Sequence, residues 1–191
     1  MVGVPTIDTG PMTVEDFYIL TDSRPDNEKW ELIDGDPIMN ASPSEFHQVI
    51  VMNVIIMLGL HARQNPVSWK VIPGIGARVT DISRPEPDVM VLPISDSDGS
   101  RRDTRDALVL FEVMSPSTAR RDLQWKRSAY ITLPHLQDYV VIAQDSVDVV
   151  IFSRNAAFAE RRLQSATDTL QLGALGVDVP LAEIYRDTGL V

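Results

Sequence analysis

The run Leu108-Val109-Leu110-Phe111-Glu112-Val113-Met114 restricts the fold of this chain more than any other stretch. In an extended strand, residues two apart share a face, so Leu108, Leu110, Glu112 and Met114 line one side and Val109, Phe111 and Val113 the other. Both sides are apolar, which places the run in the middle of a sheet covered on both faces. Glu112 is its only charge. An ionised carboxylate left unpaired there costs several kcal/mol or is forced to a raised pKa, so a cationic partner is expected. A second acid, Asp88, stands where the loop Arg84-Pro85-Glu86-Pro87 gives way to the apolar run Val89 to Leu92. Two acids aimed at one place from adjoining strands repel each other unless a divalent metal lies between them.

The remaining pattern builds a sheet and helices around these strands. Thr13 is expected to cap a short helix with Val14, Phe17, Ile19 and Leu20 on its apolar side. Asp34-Gly35 between Trp30–Ile33 and Pro37–Met39 predicts a hairpin, with Glu31 on its first strand. Ser42, Pro43 and Glu45 predict the start of a long helix that buries Phe46, Val49, Ile50, Val54, Met57 and Leu58 and ends near Gln64. Strands are expected at 67–72 and 75–80, and a mobile polar loop at 95–106. After Glu112 the chain turns into a helix carrying Leu123, Trp125, Lys126 and Tyr130, and Asp138 to Ala143 reads as another buried strand. A strand, a crossover helix and a second strand imply a right-handed parallel unit. Val147 to Ser153 is expected as an antiparallel edge, and the tail as one further strand at Arg161 to Gln164 and a short closing helix at Leu181 to Tyr185. The fold class is α/β (α+β), a mixed sheet flanked by helices, with residues 1–12 a loose N-terminal arm and 13–191 a single domain.

Charge and cysteine content narrow the function. The net charge of -10 argues against a generic nucleic-acid binder, so any contact with phosphates has to be local. The candidates for a positive lining are Arg120, Arg121 and Arg127, joined by Arg101 to Arg105. With no cysteine, disulfides, thiolate zinc sites and cysteine nucleophiles are excluded. No stretch reads as a signal peptide or bilayer-spanning run, and a cytoplasmic protein with no membrane partner is expected.

Trp30-Glu31-Leu32-Ile33-Asp34-Gly35, His47-Gln48, Pro87-Asp88-Val89, Glu112-Val113-Met114-Ser115-Pro116-Ser117-Thr118, Asp122, Lys126, Tyr130 and Asp138-Tyr139 resemble, in that order, the Uma-type family of restriction endonucleases, placed in the PD-(D/E)-x-K nuclease superfamily. The resemblance runs from about Met12 to Tyr185. It implies the restriction-endonuclease-like fold, with Pro87-Asp88 as the superfamily's PD, Glu112 as its second acid and Glu31 as an additional upstream acid. The lysine two residues after the second acid is replaced by Met114, and Lys126 on the following helix takes its place.

The resemblance implies a Mg2+-dependent endonuclease, with Mn2+ as a substitute, hydrolysing phosphodiester bonds in DNA and acting as a homodimer through the edge 147–152. Asp88, Glu112 and the backbone carbonyl of Val113 would ligate the metal, Glu31 would complete a second position or hold a water, and Lys126 would orient the nucleophile and offset charge in the transition state. Bland alternatives stand beside these roles. Glu112 and Lys126 form a structural salt bridge, Asp88 caps a turn, and Glu31 is an exposed hairpin residue. His47 packs or caps, Asp122 is a surface ion-pair partner, and Trp30, Trp69 and Trp125 are core. Two other functions share the fold: a catalytically idle binding or regulatory module, and a metal-dependent phosphoesterase acting on small nucleotides.

Overall fold

The structure, a computed structural model, describes residues 10–25, 27–94, 99–114 and 119–191, with residues 119–122 as backbone only. Thr13 starts helix α1 (Val14–Thr21), its hydroxyl accepting from the Asp16 N–H while the Asp16 carboxylate accepts from the Thr13 N–H. Val14 and Phe17 pack on Leu32, whereas Ile19, expected on the apolar side, is 72% exposed. Met12 joins the same cluster and donates to the Gly35 carbonyl at 3.3 Å, so packing begins at the last residue of the expected arm. Residues 1–9 of that arm lie outside the described residues.

Strands β1 (Lys29–Ile33) and β2 (Asp36–Asn40) form the expected hairpin, with Ile33 opposite Asp36. Asp34 and Gly35 both take positive φ, 50° and 87°, as this two-residue turn requires. Leu32 and Arg84 exchange backbone hydrogen bonds of 3.2 and 2.7 Å, which dock the hairpin on the loop before the Asp88 strand. Helix α2 (Glu45–Gln64) ends where expected but is capped by Ser44, not Ser42. The Ser44 hydroxyl accepts from the His47 N–H and also donates to Gln144, a tertiary bond that Ser42 does not make. Ile50, Val54 and Leu58 are buried, whereas Phe46 is 46% exposed. By length and composition α2 is long and apolar enough to cross a membrane, although it lays that buried stripe against the sheet.

The chain continues through β3 (Trp69–Pro73), the two-residue β4 (Gly76–Ala77), β5 (Val89–Pro93), the two-residue β6 (Asp103–Thr104) and β7 (Val109–Met114). Helix α3 (Ala119–Tyr130) leads to β8 (Asp138–Ala143), β9 (Val149–Ser153) and β10 (Glu160–Leu163), and a hairpin of β11 (Thr169–Leu172) and β12 (Val177–Pro180) precedes the short α4 (Leu181–Ile184). The main sheet runs β10-β9-β8-β7-β5-β3, with β7 and β8 parallel and its other neighbours antiparallel. The two faces of β7 divide as the alternation requires. Val109, Phe111 and Val113 enter the core with α2, and Leu110 and Met114 enter the one with Tyr130 of α3.

Two expectations change. Strand β9 is not an edge, because the chain reverses at Arg154–Ala156, with Ala157 and Phe158 at φ 53° and 56°, and lays β10 along it. The proposed dimer edge at 147–152 is therefore taken, and the true edge, β10, presents exposed Glu160, Arg161 and Arg162, charges that discourage strand pairing. Within the expected mobile loop, β6 pairs with β4, and the buried Arg84 guanidinium holds the Arg102 carbonyl at 2.8 Å; residues 95–98 lie outside the described residues.

The approach to Asp88 is tightly packed. The Gly74 N–H donates to the Asp88 carbonyl at 3.0 Å, and a Cβ on Gly74 would run into the Pro87 carbonyl. Gly74→Ala is expected to lower stability by roughly 1–3 kcal/mol, read as a lower urea midpoint, because Pro87 has to give way.

Candidate active site

Glu112 lies on the α3 face of β7 and is buried, so its partners come from that helix. The Lys126 ammonium sits 2.9 Å from Glu112 Oε1, and the Tyr130 hydroxyl donates to the same oxygen at 2.7 Å. Lys126 and Tyr130 are four residues apart on a helix, hence on one face. The same ammonium lies 3.0 Å from Glu31 Oε1. Glu31 is buried, not the exposed hairpin residue of the bland alternative, and also accepts from the Glu86 N–H at 2.6 Å. Trp125, half-buried and one residue before Lys126, fixes the hairpin on α3 by donating its indole N–H to Asp34 at 2.8 Å. Trp69 is core as expected, while Trp30 is only half-buried.

Asp88 occupies the start of β5 beside β7. Its N–H donates to the Phe111 carbonyl at 3.0 Å, and its Oδ2 accepts from the Val113 N–H at 2.8 Å. The backbone pairing of β5 with β7 stops at Val89 opposite Phe111. Amide and carbonyl of one strand residue point to the same edge, so the Val113 carbonyl is directed to the β5 side of β7. His47 Nε2 lies 3.2 Å from Asp88 Oδ2, and Lys29 Nζ lies 3.3 Å from Oδ1.

Charge settles unequally over this group. Burial pushes Asp88 up, but the His47 hydrogen bond, the Lys29 charge and the Val113 N–H together hold it down at about 2. Burial likewise opposes ionisation of Glu31, and Lys126 with the Glu86 N–H keeps it below the ordinary carboxylate range. Glu112 is raised to about 7 by burial, helped by the charges of Asp88 and Glu31, against the attraction of Lys126. Lys126 goes the other way from a simple buried amine: burial lowers it, but two carboxylates raise it above its usual value. Tyr130 is pushed well up by burial and the same two acids, so it stays a phenol that donates. Of the two partners, Lys126 is the firm charge and Glu112 the adjustable one, since one ammonium is shared between two acids.

The four side chains expected from sequence, Glu31, Asp88, Glu112 and Lys126, are thus brought together. Sequence reasoning gave no role to Lys29 and assigned His47 to packing, yet both contact Asp88. Tyr130 was readable as the residue one helical turn beyond Lys126. The side chain of Asp122 lies outside the described residues. Among the described residues no three His, Asp or Glu side chains form a ready cluster of metal ligands; Lys126 pairs with Glu31 and Glu112, while Lys29 and His47 hold Asp88. The donors themselves are hard oxygens, two carboxylates and the Val113 carbonyl, which fit Mg2+ or Mn2+ in kind.

A mixed sheet with one acid at the head of an inner strand, a second acid in the middle of its neighbour and a lysine on the following helix defines a restriction-endonuclease-like protein. The Uma2 family model, described as "Putative restriction endonuclease", matches residues 14–182, and the chain belongs to that family. The fold is shared with the crystal structure of a protein of Anabaena variabilis ATCC 29413 described as "a putative nuclease belonging to DUF820". That likeness has a TM-score of 0.73 at 13% identity and covers 92% of this chain and 98% of the other. An uncharacterized protein of Synechocystis sp. (strain ATCC 27184 / PCC 6803 / Kazusa) is 33% identical over 79 residues, a stretch spanning 41% of this chain and 42% of that protein.

Removing the shared cation exposes the cost of burying the acids. Lys126→Met should destabilise the protein by about 3–5 kcal/mol in urea unfolding at neutral pH, because Glu31 and Glu112 lose their common partner. The additional substitution Glu112→Gln should recover part of that loss.

Proposed function

We propose that the protein hydrolyses phosphodiester bonds in DNA with Mg2+, or Mn2+ in its place, held by Asp88, Glu112 and the Val113 carbonyl. The observation that carries this reading is the convergence of Glu112 and Glu31 on one charged lysine, with Asp88 near enough that its charge helps to raise Glu112. A divalent cation bound there supplies Lewis-acid polarisation of the phosphate ester. The chain's own groups do the rest. His47 and the Val113 N–H hold Asp88 Oδ2, so that Oδ1 is the oxygen turned toward Lys29 and the open side. Tyr130 fixes the Glu112 carboxylate from below. Lys126 keeps a positive charge beside the reacting phosphate, where negative charge grows in the transition state. Glu31 holds Lys126 in place and is available to a second cation or to water. Action as a homodimer in the cytoplasm is part of the proposal, with an interface other than β9.

The same ion pairs favour a second reading, an idle binding module in which Lys126 is the permanent counterion of Glu31 and Glu112. Cleavage of supercoiled DNA separates the two. The nuclease reading predicts nicking that needs Mg2+ or Mn2+, stops in chelator, and falls at least roughly a hundredfold in Asp88→Asn and in Lys126→Gln. Metal-independent nicking, or equal nicking by the variants, contradicts it.

A further inference from the structure

Beside the acids lies a cleft of about 470 Å³, within the roughly 300–1,000 Å³ span of ligand clefts. Two residues of its lining connect it to the candidate active site. Lys29, which reaches Asp88, lines it, and so does Glu86, whose N–H holds Glu31. In a chain of net charge -10, this cleft gathers Arg24, Lys29, Arg84 and Arg102 against three acids. Each acid is already answered within the wall. Asp22 pairs with Arg102 at 2.7 Å, Glu86 pairs with Arg84 at 2.8 Å, and Glu28 accepts from the Trp30 indole N–H at 2.8 Å. One cation remains for something else, the exposed Arg24, which has no ion pair among the described residues, while Lys29 is shared with Asp88 of the site. Arg24 instead stands over the Trp30 ring, 5.6 Å from its centroid, and Arg102 covers Tyr18 at 4.1 Å.

An aromatic face covered by an exposed guanidinium that has no ion pair is the chemistry that takes up a nucleobase and its phosphate. Duplex bases are stacked on each other and have no free face for Trp30. We infer that this cleft binds an unpaired polynucleotide strand leading to the acids, with a base stacked on Trp30 in place of Arg24 and the adjoining phosphates on Arg24 and Lys29. The inference rests on the nuclease reading for its direction, but not for its test. No hydrogen bond or ion pair among the described residues joins the Trp30 or Arg24 side chain to Glu31, Asp88 or Glu112, and Glu28 accepts from the indole N–H while the ring also packs against the Val14, Phe17 and Leu32 cluster.

The test measures binding of a fluorescein-labelled oligothymidylate in chelator, where no cleavage occurs, by fluorescence anisotropy. The exposed Arg24→Glu variant should weaken binding roughly tenfold and flatten its salt dependence. Trp30→Ala should weaken it by a similar factor, and Trp30→Phe, which keeps a ring, should recover most of the loss. An unlabelled duplex of the same length should compete less well than the single strand. Wild-type binding that neither variant changes, no binding by the wild type, or better competition by duplex overturns the inference. The two proposals fail separately: DNA nicking by a protein whose cleft binds no single strand removes the cleft and leaves the nuclease, while single-strand binding in the cleft of a protein that nicks nothing does the reverse.

Discussion

One ammonium ion holds the centre of this molecule together. Lys126 reaches from α3 to Glu112 on β7 and to Glu31 on β1, so a helix, the central strand and an outlying hairpin meet at a single charge. The hairpin has no strand partner in the main sheet and depends on such links. Its turn is tied to Trp125, its Leu32 to Arg84, and its Glu31 to Lys126 and the Glu86 N–H. Burying three acids within one region is unfavourable, and it persists because each is answered by a cation or by N–H and O–H donors.

Much of the architecture was readable from period and punctuation. The two-residue alternation of Val109 to Met114 assigned its apolar side chains to the cores they enter, whereas Leu108, just before the strand, packs with the Val109, Phe111 and Val113 side instead of the expected one, and Asp34-Gly35 fixed the hairpin turn. The order strand, helix, strand across Glu112 gave the parallel pairing of β7 with β8. These features are local, or follow from burial on two faces. What was misread depends on distant contacts. Ser42 and Ser44 are equally good caps by type, and the choice falls to Ser44, which also reaches Gln144. Strand β10 lies within one residue of the expected Arg161 to Gln164, but the reversal that lays it along β9 uses Ala157 and Phe158 at positive φ, residues that carry no turn signal. The pairing of β4 with β6 is two residues long, too short to leave a pattern.

The site divides in the same way. Asp88 and Glu112 were visible because a lone acid in an apolar strand demands a partner. Glu31, Lys126 and the family were visible through the ordered set of short motifs, and the match over residues 14–182 agrees. Lys29 and His47 were not, because both reach Asp88 from elements far away in sequence. His47 sits in the first turn of α2, where its backbone N–H serves the helix cap, and that local role masks the direction of its ring. Lys29 looks like an ordinary charge on an exposed hairpin until the hairpin is docked.

The most direct test of this account is a calorimetric titration of the purified protein with Mn2+, run beside Asp88→Ala and Glu112→Ala variants shown to be folded. The account predicts saturable binding by the wild type that both substitutions abolish, because the same oxygens that now face Lys126 and Lys29 would hold the ion. Binding that survives both substitutions, or its absence in the wild type, would contradict it and leave Lys126 as the permanent partner of two buried acids.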